Sequence, residues 1–185
     1  MSNFILAITG PSGAGKSTVG EKLAKQLDKC VNIDADHIKH MIVSGFYYDR
    51  ANPEDEKEWG FNEWALVGES IGLLAQNFQK HGYDVIINGY IDAPAWEALD
   101  RLVTISRKVL LLPNVDTAKD RDLGRRGDVQ QGEAAVERHH VHFSTDNFFK
   151  DFITIDTTNH SVDETVKEVR EVLSDTALGF GNDNT

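Results

Sequence analysis

The sequence predicts an α/β protein of three layers, a five-stranded parallel sheet with helices on both faces. Three observations carry this expectation. Short apolar, β-rich runs alternate with longer stretches of helical periodicity. Runs such as VLLL and DVII are continuously apolar rather than alternating, as suits strands covered on both sides. The first such run, FILAIT, leads straight into a glycine-rich turn and then an amphipathic segment.

Along the chain, strands are expected at 4–9, 30–33, 84–88, 108–112 and 152–155. Helices are expected at 16–28, 37–44, 60–81, 94–105, 115–125, 133–149 and 162–174. In the first helix Val19, Leu23 and Leu27 recur every four residues and mark one buried face. Gly82 ends the third helix directly before a strand. Asp92 or Ala93 followed by Pro94 marks a helix start, since proline is tolerated in the first turn. Ser161 and Glu164 form a capping box ahead of Val162, Val166, Val169 and Leu173. Residues 45–60, GFYYDRANPEDEKEWG, are the longest stretch without a pattern, and loops of that length are often functional. The tail 175–185 has little to bury and is expected to be disordered, leaving one domain over 1–174.

Composition narrows the function classes. At 185 residues, with 40% apolar and 26% charged, the chain can bury a substantial core. A net charge of −11 argues against general affinity for nucleic-acid backbone or anionic membrane. Cys30 is the only cysteine, so no intrachain disulfide forms, which fits a reducing compartment. The N-terminal apolar run is too short to span a membrane and has no basic leader. A cytoplasmic protein, monomer or homodimer, is expected.

The strongest chemical signal is the stretch 8–18, ITGPSGAGKST, which matches G-x-x-x-x-G-K-[ST]. Small residues let consecutive backbone N–H groups turn inward around a phosphate, at the positive end of the following helix. Gly10, Ser12, Gly13, Ala14, Gly15, Lys16, Ser17 and Thr18 are therefore candidate ATP-binding residues. Lys16 would bridge the β- and γ-phosphate oxygens, and the Ser17 hydroxyl would ligate Mg²⁺. A preceding strand and a following helix supply the context such a loop needs.

The second strand ends in VNIDADHI. Strand alternation would put Asp34 and Asp36 on one side, beyond the carboxyl end of the sheet where ligands of open α/β folds bind. Asp34 is a candidate Mg²⁺ ligand, and Asp36 a candidate base that orients an acceptor hydroxyl. Helix N-capping is the competing account of either carboxylate.

The phosphate loop followed by I-D-A-D-x-I resembles the branch of small P-loop kinases that holds shikimate kinases, gluconate kinases and chloramphenicol phosphotransferases. The resemblance runs from about residue 3 to 174 in element order, and is similar to an uncharacterised bacterial group in IKHMIVSGF. It implies the P-loop NTPase fold, an acceptor-binding insertion at about 37–80 and a helical lid at about 121–135. It also gives Asp34 and Asp36 the metal and acceptor roles. The third strand ends in IINGYID, where shikimate kinases carry three consecutive glycines; only Gly89 matches, as a candidate substrate residue. No shikimate-reading arginine follows the paired aspartates, which weighs against shikimate itself. Asp92, beside Gly89, is a spare candidate for metal or base chemistry, with helix capping as the plainer account.

Lys119, Arg121, Arg125 and Arg126 cluster in an otherwise acidic chain, and Arg121 and Arg125 would share one helical face. In the resembling kinases the arginines of this region close over ATP, so Arg121 and Arg125 are candidate catalytic and nucleotide-binding residues. A solvated helix end paired with Asp120, Asp122 and Asp128 is the alternative. His139, His140 and His142 lack a second ligand cluster, so helix surface or packing suits them better than zinc. The aromatics Phe46, Tyr47, Tyr48, Trp59, Phe61 and Trp64 serve either core or flap, with Arg50 as a candidate substrate residue. Thr158, in the loop after the last strand, is a candidate nucleotide contact.

The expected activity is transfer of the γ-phosphate of ATP, with Mg²⁺, to a hydroxyl of a small molecule. Two other classes are weighed against it. A nucleic-acid 5′-end kinase conflicts with the charge, and a nucleotide-dependent switch or ATPase lacks N-K-x-D or a second module.

Overall fold

A computed structural model describes residues 3–44, 61–125, 127 and 130–174. Arg50, Arg126, the aromatic-rich segment 45–60 and the tail 175–185 lie outside the described residues. Parts of the expected insertion and lid lie outside them too.

The strands are β1 (Ile5–Thr9), β2 (Cys30–Asp34), β3 (Asp84–Asn88), β4 (Arg107–Leu111) and β5 (Ile153–Ile155). They form one parallel sheet in the order β2-β3-β1-β4-β5. The helices are α1 (Lys16–Ala24), α2 (Ala35–His40), α3 (Phe61–Lys80), α4 (Ala93–Leu102), α5 (Val115–Leu123), α6 (Glu133–Thr145) and α7 (Val162–Ser174).

Alternate side chains of β1 enter two separate cores. Ile5 and Ala7 pack with Val85, Ile87 and Leu110 against Ile71, Trp96, Leu99 and Phe143 of α3, α4 and α6. Leu6 and Ile8 pack with Ile86, Val109 and Leu111 against Val19, Leu23, Val166 and Val169 of α1 and α7. Both faces of the sheet are thus covered, which is why its strands read as continuous apolar runs.

Several boundaries differ from the expected ones for local reasons. The helix expected at 133–149 stops at Thr145; Asp146 then caps a separate 3-10 turn, Asn147–Phe149, by accepting the Phe148 N–H. The helix expected from 37 starts two residues earlier because Asp34 caps it. The one expected to 125 stops at Leu123, so Arg125 lies beyond the helix and does not share a face with Arg121. Asp92 caps α4, and the Ser161–Glu164 capping box forms in both directions.

Helices α3 and α4 cross in close contact at Gly68. A Cβ there would stand 2.1 Å from the Ala95 carbonyl oxygen, which is backbone and cannot swing away. Gly68→Ala is expected to cost about 1–3 kcal/mol despite alanine's better helix propensity. A lowered urea midpoint with an unchanged slope would show this.

Candidate functional site

The site is built on the carboxyl ends of β1 and β2. Beyond Thr9 the chain turns through the glycine-rich loop into α1. Gly13 sits at φ +79, and a Cβ there would stand 2.1 Å from the Ala118 carbonyl oxygen, so only glycine lets the loop lie this close to α5. The Pro11 carbonyl accepts the Ala14 N–H at 3.2 Å and the Lys16 ammonium at 2.8 Å, which closes the turn. Gly15 is the N-cap of α1 and offers no side chain to its first amides, a donor set suited to phosphate.

Charge around the loop is arranged closely. Burial pushes the Lys16 ammonium down to about 8; the Arg125 guanidinium pushes the same way, and the Asp36 and Asp34 carboxylates resist. Ser17 donates to Asp34 Oδ2 at 2.9 Å, while Asp34 Oδ1 accepts the N–H of Asp36 at 2.9 Å and of His37 at 3.3 Å. Capping and site roles coexist in Asp34, one oxygen for each. One hydroxyl and one carboxylate form an all-oxygen pair that fits Mg²⁺, which takes few protein ligands beside waters and phosphate.

Asp36 reaches the site by a route different from the expected one. The helix begins at Ala35, so Asp36 is a first-turn helical residue rather than an extension of the strand. Its Oδ1 pairs with the Lys39 ammonium at 3.0 Å, and that ammonium also stands 5.3 Å from the centre of the Trp64 ring.

The remaining candidates divide. Arg121 donates to the carbonyls of Thr157 at 2.8 Å and His160 at 3.2 Å, which fastens α5 to the loop after β5. Arg125 instead meets the buried carboxylate of Asp122. Thr158 accepts the Asn114 N–H at 2.8 Å, joining that same loop to the start of α5. Gly89 donates its N–H to Ile8 and accepts the Thr9 hydroxyl, against the start of α2. Thr18 is exposed on the first turn of α1.

One residue at the site was read only as surface or packing. His139 of α6 places Nδ1 3.1 Å from the Ser12 hydroxyl, across 127 residues of sequence. Its ring lies 5.0 Å from that of Tyr90. Burial, then the charges of Lys16 and Arg138, push its pKa down to about 4, so the imidazole is neutral at pH 7. His140 and His142 serve packing: the first meets the Pro113 carbonyl, the second lies among Tyr90, Phe143 and Phe149. Only the neighbourhood of the three histidines was visible in sequence; no local pattern distinguishes the first of them.

The Lys16 shift has a stability consequence. Its folded pKa of about 8 lies below the ordinary lysine value of 10.5, so folding is penalised wherever the ammonium is charged. That penalty is complete below pH 8 and is relieved as pH rises toward 10.5. Lys16→Met is expected to raise the melting temperature of nucleotide-free protein by a few degrees at pH 7. The gain should shrink above pH 8 in a pH series of thermal melts.

Comparison with known proteins agrees with this architecture. No described helix is long and apolar enough to cross a membrane. A guanylate kinase of Prochlorococcus marinus is 26% identical over 185 aligned residues, covering 91% of this chain and 96% of that protein. The structure of Acinetobacter baumannii shikimate kinase with shikimate superposes with a TM-score of 0.65 at 20% identity, over 95% of each chain. An unliganded sugar kinase from Janibacter sp. superposes at 0.67 with 15% identity, over 93% of this chain and 95% of the other. Residues 5–148 match the AAA_33 family model, an AAA domain. With that match over most of its length, on a parallel sheet carrying a formed phosphate loop, the chain belongs to the AAA_33 family.

Proposed function

We propose that the protein transfers the γ-phosphoryl group of Mg-ATP to a hydroxyl of a small molecule. The observation that carries this reading is Asp36, a carboxylate in the first turn of α2, its N–H bonded to the same Asp34 carboxylate that accepts the Ser17 hydroxyl at the end of the phosphate loop. A hydroxyl acceptor must lose a proton as it bonds to phosphorus, and a carboxylate there can take it. A nucleoside monophosphate already offers an anionic oxygen, needs no base, and would be repelled by Asp36.

In this mechanism the loop amides and Lys16 hold the β- and γ-phosphates, so the transferring group stays fixed. Ser17 and Asp34 would hold Mg²⁺, which neutralises phosphate charge and orients the chain of phosphates when bound. The acceptor oxygen bonds to the γ-phosphorus, the bond to the β-bridging oxygen breaks, and the acceptor proton passes to Asp36. Arg125 supplies positive charge to the oxygens on which charge builds. Arg121 shapes the loop that carries Thr158, on the side of the nucleotide base.

A second reading, phosphoryl transfer to a nucleoside monophosphate, is favoured by the full-length similarity to a guanylate kinase. One assay separates the two: Mg-ATP turnover measured as ADP release against hydroxyl compounds and nucleoside monophosphates, with Lys16→Ala as the blank. Stimulation by a hydroxyl compound, with Asp36→Asn lowering kcat about 100-fold or more, is the expected result. Stimulation by a nucleoside monophosphate alone, with Asp36→Asn harmless, would remove the first reading.

A further inference from the structure

The mechanism above leaves unexplained a buried carboxylate at the base of the lid. Asp122 is 3% exposed in the last turn of α5, near the negative end of that helix, where a carboxylate is electrostatically disfavoured. A buried charge of this kind persists only when its partners are good. Asp122 divides its partners by oxygen. Oδ2 accepts the N–H of Gln131 at 2.9 Å and of Gly132 at 3.0 Å, at the start of α6. Oδ1 faces the Arg125 guanidinium at 3.3 Å. Gln130 closes the same base from the other side, donating to the carbonyls of Leu123 at 2.7 Å and Arg125 at 2.9 Å.

We propose that Asp122 is a positioning residue for phosphoryl transfer: its carboxylate fastens the end of α5 to the start of α6 and holds the Arg125 guanidinium toward the phosphate loop. The proposal rests on the reading of Arg125 as the cation that neutralises developing charge. Two further features support it. Arg125 lies just beyond the end of α5, where its N–H donates to the Asp122 carbonyl at 3.1 Å; its side chain then takes direction from the Asp122 carboxylate and its own carbonyl from Gln130. Asp122 also stands one helical turn after Ala118, whose carbonyl oxygen lies against Gly13, so the pair follows the part of α5 that packs on the phosphate loop, and the Arg125 charge pushes the Lys16 pKa down. The same carboxylate stands at the N-terminus of α6, whose N-cap Gly132 has no side chain of its own, so one group orders both the arginine and the helix that carries His139.

Asp122→Asn separates these two tasks. The amide oxygen can still accept from Gln131 and Gly132, while the amide nitrogen turned toward Arg125 no longer attracts it. The test is a double-mutant cycle of Asp122→Asn and Arg125→Gln, read as kcat and KM for Mg-ATP and as melting temperature. ADP release is followed with whichever acceptor stimulates it, or with water alone, so the cycle does not depend on the nature of the acceptor. Asp122→Asn alone is expected to lower kcat about 10- to 100-fold with a smaller change in KM. In the Arg125→Gln background it should change kcat less than about twofold. Equal losses in both backgrounds would reduce Asp122 to a helix cap and overturn the proposal, as would wild-type kcat in either single variant. Should Asp122→Asn not fold, Asp122→Ser, whose hydroxyl can accept from Gly132, takes its place in the same cycle.

Discussion

Strand β1 is hydrogen-bonded along both edges, to β3 and β4, and its residues from Ile5 to Thr9 are fully buried. That burial fixes where the glycine-rich loop begins. The strand cannot slip by one residue without exchanging Leu6 and Ile8 for Ile5 and Ala7 between two different cores. The loop leaves a strand whose register is locked, and it enters a helix locked to the second core through Val19 and Leu23. A phosphate cradle made of backbone amides has no side chains of its own to define it, so it inherits its accuracy from these two anchors.

Around this cradle the protein accepts unfavourable electrostatics. The Lys16 ammonium is desolvated, which pushes its pKa down; the Arg125 charge acts in the same direction, and the Asp36 and Asp34 carboxylates offset part of it. Such an arrangement is poor for a resting protein and suited to one that receives a polyanion. A triphosphate would supply negative charge to both cations, so their mutual repulsion would be offset on binding. His139 belongs to the same economy of charge: an imidazole kept neutral beside Lys16 can contact Ser12 without adding a third cation.

How much of this was legible in the sequence depended on whether the signal was local. The five strands, the phosphate loop and the caps at Asp92 and Ser161 are written in short runs, and each was readable because its chemistry involves neighbours in the chain. Asp36 was found for a partly mistaken reason, since alternation presumes a strand and Asp34 had already started a helix. Arg121 and Arg125 looked equivalent because a four-residue spacing implies a shared face; the helix ends between them, and their guanidinia go to different loops. His139 and Asp122 were invisible as site residues because their partners are fixed by tertiary packing. Ser12 lies 127 residues from His139, and the amides that Asp122 accepts lie across the lid. In sequence, Asp122 was one of three aspartates near a cluster of arginines, with nothing to mark it as the buried one.

These non-local contacts share one element. Helix α6 begins under the Asp122 carboxylate, crosses to α5 through the Glu137–Lys119 ion pair, and sets His139 against the phosphate loop. The end of α5 and the phosphate loop are therefore joined through one helix. A displacement of the start of α6 would shift His139 relative to Ser12 as well. Conversely, a phosphate that redirects the Ser12 hydroxyl changes the contact that holds α6 from below. A helix of weak amphipathic character thus meets both the end of α5 and the phosphate loop.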